Sequence, residues 1–171
     1  MLVKQKNKLF DLQPPDGLKF VYVEGKGLGV FADRNFKSGE AIISFANTLV
    51  DRDHASSEAV QITDDKFLDT EWLVTDAFIN HSCNPNAKLE VHLDQPSSAY
   101  VAIRDIAKDE EIAFNYLATE YDMVKNGGNF ECACGSPDCY HQIQGFKYLT
   151  DGQQEKLRLL LLPYLVDKLK K

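Results

Sequence analysis

The sequence predicts a mainly β, β-rich α+β fold for this chain of 171 residues, and three features carry that prediction. Short runs rich in Val, Ile, Phe and Tyr recur through the first two-thirds of the chain. Turn-forming residues separate them, and only the last stretch changes to a Leu-rich helical pattern. Several short strands with tight turns between them imply small, antiparallel sheets.

Taken in order, the strand-like runs are FVYVEG (20–25), GVFADR (29–34), AIISFANTLV (41–50), KLEVHL (88–93), AYVAIRDI (99–106) and EIAFNY (111–116). KSGE (37–40) and DQPSS (94–98) supply turns, and the polar stretch from Asp51 to about Asp65 reads as a loop. On a strand, Phe114 and Tyr116 occupy alternate positions and face the same side. Near the end, Thr150 followed three places later by Gln153 makes a capping box that opens a helix. Pro163 divides or kinks that segment before the terminal DKLKK.

At 44% hydrophobic and 26% charged residues, the composition is that of a soluble globular domain. MLVKQKNKLF lacks the apolar run of a signal peptide, and LRLLLLPYLV is too short to span a bilayer. The expectation is an intracellular protein, cytoplasmic or nuclear, with no membrane partner. The net charge of −7 is unevenly spread: residues 61–130 carry five basic and thirteen acidic side chains. An acidic block disfavours nucleic-acid backbone binding and suits a Lys-rich protein partner.

Two motifs point to chemistry. CACGSPDC (132–139) brings Cys132, Cys134 and Cys139 into one loop, a thiolate set suited to zinc. A structural zinc wants four ligands, and either His141 or Cys83 can complete the set. INHSCNPN (79–86) combines a polar turn with a cysteine the turn does not need. GKGLG (25–29) allows a close backbone approach but on its own is an ordinary tight turn.

GKGLG, INHSCNPN, EIAFNY and CACGSPDC, in that order, resemble the SET-domain protein lysine methyltransferases, a likeness running from about Lys19 to Cys139. The resemblance implies a SET fold with a knot-like crossing near its C-terminal end. It implies a SET domain over 19–120, a post-SET zinc-binding segment over 121–145 and a helical tail over 146–171. It implies S-adenosylmethionine held by Lys26, Gly27, Leu28 and Gly29, with Asn80 at its amine and His81 at its adenine. It implies Tyr116 as the catalytic residue, Phe114 and Phe45 as walls of the lysine channel, and one structural zinc held by Cys83, Cys132, Cys134 and Cys139. The protein is then a monomeric protein-lysine N-methyltransferase acting on a basic protein such as a histone. The alternative is a catalytically silent zinc-containing module that binds peptide. The chain departs from the family pattern at Phe45-Ala46-Asn47-Thr48, at Ala77 and at Asn115, and it has no pre-SET cysteine cluster.

Overall fold

The computed structural model describes residues 13–56, 59–70, 77–125 and 127–169, together with the backbone alone of 2–5, 8–11 and 75–76.

β1 (Leu2–Gln5) pairs antiparallel with β2 (Lys8–Asp11), and β3 (Leu18–Val23) with β4 (Gly27–Ala32). The predicted run 41–50 breaks into β5 (Ala41–Ala46) and β6 (Thr48–Asp51). The break falls at Asn47, whose N–H bonds the Pro96 carbonyl at 2.9 Å instead of continuing a ladder. The segment read as a loop is partly ordered: a 3-10 turn (Arg52–His54) precedes β7 (Val60–Gln61), and β8 (Lys66–Asp69) completes a sheet in the order β6-β8-β7. β9 (Asn80–His81) follows. β10 (Ala87–His92) and β11 (Ser97–Ala102) form the predicted hairpin and add β5 to give β10-β11-β5.

β12 is only Ala113–Phe114, and it pairs with β9 in parallel, the one pairing of that sense among the described strands. Tyr116 therefore does not extend the strand, as its position in EIAFNY suggested. It opens a 3-10 turn, Tyr116–Ala118, because the Asn115 side chain accepts from Leu117 N–H and caps the turn. The Phe114 and Tyr116 rings still meet, with centroids 4.8 Å apart.

β13 (Phe130–Glu131) and β14 (Gln142–Ile143) flank the cysteine-rich loop. The Thr150–Gln153 capping box is formed and starts α1 (Asp151–Lys156). Pro163 is the first residue of α2 (Pro163–Val166), where its missing N–H costs nothing. No helix among the described residues is long and apolar enough to cross a membrane.

Two hydrophobic clusters hold these small sheets together. One gathers Val30, Phe36, Ile79, Ile106 and Ile112 among the strands. The other gathers Leu117, Ile143, Phe146 and Leu165 beneath the C-terminal helices. Each fully buried side chain of this size contributes about 1.5–3 kcal/mol. Tyr116 packs against both clusters and so sits at their junction.

Candidate functional site

Around Tyr116 three segments converge. In the GKGLG turn, Gly25 and Gly27 take φ of 79° and 86°, a region that side chains resist. Gly29 is needed for a different reason. A Cβ there would meet Asn80 Nδ2 at 3.0 Å and Glu111 Oε1 at 3.1 Å. Asn80 donates from that same nitrogen to Glu111 Oε1 (2.8 Å) and weakly to the Leu28 carbonyl (3.4 Å). Lys26 Nζ pairs with the other oxygen of Glu111 at 2.8 Å. One carboxylate thus ties the glycine turn to INHSC.

The loop 80–86 grips residues 111–116. Asn86, 3% exposed, accepts from Ala113 N–H (2.9 Å) and donates to the Glu111 carbonyl (2.8 Å). Ser82 N–H reaches the Phe114 carbonyl at 2.9 Å. His81 is buried, and its Nδ1 accepts from Tyr116 N–H at 3.1 Å. That bond puts the ring proton on Nε2, which faces Cys83 Sγ at 3.3 Å. Burial, and to a lesser degree the Lys26 ammonium, lowers the His81 pKa to about 4, so the ring is neutral. With both nitrogens engaged inside the protein, His81 offers the cleft its ring face and backbone.

The Tyr116 hydroxyl donates to the Ile79 carbonyl at 2.9 Å, which leaves its oxygen lone pairs free to accept. Burial, helped by the carboxylates of Glu120 and Glu111, raises its pKa to about 12. It is a neutral phenol, not a base, near neutral pH. Beside it lies a cleft of about 260 Å³ walled by Lys26, Asn80, His81, Tyr116 and Phe130. The Phe130 ring stands edge-on to His81 (5.8 Å) and Tyr116 (6.0 Å). On the other side Tyr116 continues an aromatic row through Phe114, Tyr100 and Phe45, with successive centroids 4.8, 5.0 and 6.5 Å apart.

The Sγ atoms of Cys83, Cys132, Cys134 and Cys139 all lie within 4.8 Å of one another. Cys83 stands 3.8 Å from Cys132 and 3.9 Å from Cys139. A tetrahedron with Zn–S bonds of about 2.3 Å has edges of about 3.8 Å, so the set has the right size for zinc. Burial raises the Cys132 thiol to about 11 and pushes Cys83 up as well. For Cys134 burial is outweighed by backbone hydrogen bonds and neighbouring thiols, which bring it to about 6. With Cys83 and Cys132 held protonated in this way, ionising all four thiols side by side would need a cation between them. His141 is exposed and outside this cluster.

The model of the SET domain matches residues 27–117, more than half of the chain. The chain belongs to the SET-domain family. The match takes in Gly27 to Gly29 of the glycine turn, the gripping loop 80–86 and Tyr116, and it ends before the cysteine loop. A histone-lysine N-methyltransferase of Candida albicans, named as specific for H3 lysine 36, is 28% identical over 94% of this SET chain and 20% of its own length. The histone-lysine N-methyltransferase ASHH3 of Arabidopsis thaliana is 26% identical over 80% of this chain and 41% of its own. A variant-silencing SET domain-containing protein of Plasmodium falciparum is 30% identical over 74% of this chain and 6% of its own. The chain thus spans less than half the length of each of these relatives.

Among the residues singled out in the sequence, the structure brings Lys26, Asn80, His81 and Tyr116 onto one cleft, and Cys83 onto the three cysteines of the late loop. Gly27, Leu28 and Gly29 follow Lys26 along the same turn, in β4. Sequence reasoning missed Glu111, Asn86, Tyr100 and Phe130. Each reads as an ordinary strand or turn residue, and their roles come from contacts 14 to 49 positions away in the chain.

Proposed function

We propose that this SET chain is a protein-lysine N-methyltransferase that uses S-adenosylmethionine and holds one structural zinc ion. The observation that carries the reading is the environment of Tyr116. Its hydroxyl proton is committed to Ile79, and its oxygen stands between a polar cleft and an aromatic row. The cleft fits the amino-acid end of the cofactor by charge. Lys26 and Asn80 line it, Lys26 suiting a carboxylate and Asn80 an ammonium through its side-chain oxygen, while Glu111, bonded to both, holds them in place. When bound, the cofactor supplies an electrophilic methyl group on a sulfonium.

The rest is positioning by this chain. The walls of Phe114, Tyr100 and Phe45 desolvate a lysine side chain and disfavour its ammonium form. Tyr116 Oη accepts from the amine and orients its lone pair towards the methyl group. Cys83, Cys132, Cys134 and Cys139 hold the zinc, which pins Phe130 over the cleft and performs no chemistry. The SET domain is assigned to 19–120, the zinc segment to 121–145 and the helical tail to 146–171. The substrate is a Lys-containing basic protein. Relatives named histone-lysine N-methyltransferases support a histone.

The test is transfer of label from S-adenosylmethionine to core histones. Tyr116→Phe should bind cofactor like the wild type but lose roughly 100-fold in turnover, the scale for one preorganised polar group. Cofactor binding by the wild type with no transfer to any protein would instead identify a silent module. Unchanged turnover in Tyr116→Phe would remove Tyr116 from the chemistry.

A further inference from the structure

The aromatic row from Tyr116 to Phe45 is held at its two ends by different parts of the fold, and one short stretch of the tail touches both. At the Tyr116 end, the turn Tyr116–Ala118 ends on the Ala118 carbonyl, which accepts from Leu162 N–H at 3.1 Å. Leu162 is 2% exposed and lies in the same cluster as Phe114 and Tyr100. At the Phe45 end, the chain leaves β5 and after Asn47 enters the sheet β6-β8-β7. The turn between β7 and β8 carries Asp64, whose backbone carbonyl is bound by the Arg52 guanidinium at 2.6 Å.

Tyr164, two residues beyond Leu162, gives its hydroxyl to Asp64 Oδ1 at 2.7 Å. Lys168 Nζ reaches both oxygens of the same carboxylate, at 2.8 and 3.1 Å. Gln61 Nε2, from β7, donates weakly to the Tyr164 oxygen at 3.4 Å. The Tyr164 ring is buried against Tyr121 with centroids 6.2 Å apart, and the Lys168 ammonium lies over both rings. Asp64, by contrast, keeps 69% of its side chain exposed, so water competes for the grip. Leu162 and Tyr164 sit on either side of Pro163 at the start of α2, which leaves little slack between the two attachments.

We infer that Tyr164 and Lys168, acting through Asp64, are positioning residues for the substrate lysine, a role that rests on the methyl-transfer reading above. They hold the sheet that follows Phe45 at a fixed spacing from the turn that carries Tyr116. With the grip closed, Phe45 stays in the row that encloses the lysine side chain. With it open, the sheet and that far wall move away. Tyr116 and the cofactor cleft stay in place, because loop 80–86 holds them through His81 and Asn86. A grip that sets only the fraction of molecules with a closed row divides the apparent substrate affinity by that fraction and spares the rate of the filled complex.

The experiment measures kcat and KM for core histones at saturating S-adenosylmethionine and fixed low salt, using the zinc-loaded full chain. Wild type, Tyr164→Phe, Lys168→Met, Asp64→Ala and the Tyr164→Phe/Asp64→Ala double variant are compared, with calorimetric cofactor affinity and thermal unfolding for each. Tyr164→Phe and Asp64→Ala should each raise KM roughly 5-fold, equivalent to about 1 kcal/mol. In both, kcat should stay within about 2-fold of wild type and cofactor affinity should match it. The double variant should behave like Asp64→Ala alone, since the hydroxyl acts through that carboxylate. Lys168→Met should also raise KM. A lower KM in Lys168→Met or Tyr164→Phe would make Asp64 a direct partner of the basic substrate and overturns the inference. So does an unchanged KM in both Tyr164→Phe and Asp64→Ala, or a loss of kcat and cofactor affinity that tracks a lower unfolding temperature. No transfer by the wild type overturns both the inference and the reading beneath it.

Discussion

Glu120 makes a prediction about stability. Its pKa in the fold is raised to about 7 from an ordinary 4.5, so folding favours the protonated form. Its contribution is therefore complete below about pH 4.5 and is lost as pH rises through about 7. Glu120→Gln replaces the acid by a neutral amide. It should be more stable than wild type by about 3 kcal/mol at pH 8.5 and nearly equal to it at pH 4.5. Chemical denaturation midpoints at the two values check this; an equal shift at both would mean that charge burial is not the cause. Glu111 presents the opposite case, a carboxylate satisfied by Lys26 and Asn80. Neither glutamate was legible in the sequence, where EEIAF reads as strand and ATEY carries no motif. Their distinction arises from what the fold packs against each carboxyl.

Among the elements, the cysteine-rich loop between β13 and β14 depends on a residue some fifty positions away in the chain, Cys83. Cys83→Ser should abolish binding of about one zinc per chain, while His141→Ala should leave it intact. Metal analysis with hydrogen exchange over residues 130–143 would show both the loss and the loosening; zinc retained in Cys83→Ser and lost in His141→Ala would reverse the ligand assignment. A second element junction lies at Gly145, with φ of 108°. A Cβ there would stand 2.7 Å from the Tyr121 carbonyl oxygen and 2.9 Å from Met123 N, and backbone cannot swing aside. Gly145→Ala should cost about 2 kcal/mol or more in thermal or chemical unfolding. Because Phe146 holds the Glu120 carbonyl, that substitution should disturb the turn that follows Tyr116 as well. By contrast, Gly135 also has positive φ, but a Cβ there meets nothing within 4 Å.

Over the whole molecule, the acidic block of 61–130 does much of its work internally. Lys26, Lys37, Lys147 and Lys168, all from outside the block, pair with Glu111, Asp105, Asp122 and Asp64 at 2.7–2.8 Å, and Lys19 pairs with Asp109. These contacts bring the two ends of the chain to its middle, though exposed pairs each add only about 0–1 kcal/mol. The field left for a basic substrate is weaker than the residue count implies. The apparent KM for histone should rise several-fold between about 0.05 M and 0.3 M salt, while cofactor affinity changes little. A KM indifferent to salt would mean that the block serves the fold alone.

What the sequence determined by itself was local or ordered along the chain. The β-rich pattern, the hairpin after β10, the capping box at Thr150 and the N-terminal place of Pro163 in α2 follow from nearest-neighbour chemistry. The succession of GKGLG, INHSCNPN, EIAFNY and CACGSPDC carried the family. Tertiary structure decided what no neighbour encodes. It broke 41–50 into two strands and turned Tyr116 out of its strand through the Asn115 cap. It paired β9 with β12 in parallel and closed Asn86 around residues 111–113. Side-chain periodicity records which face of an element is buried; it holds no information about which distant carbonyl, thiol or ring will lie opposite. That is settled only when the two clusters pack and each buried polar group must find its partner there.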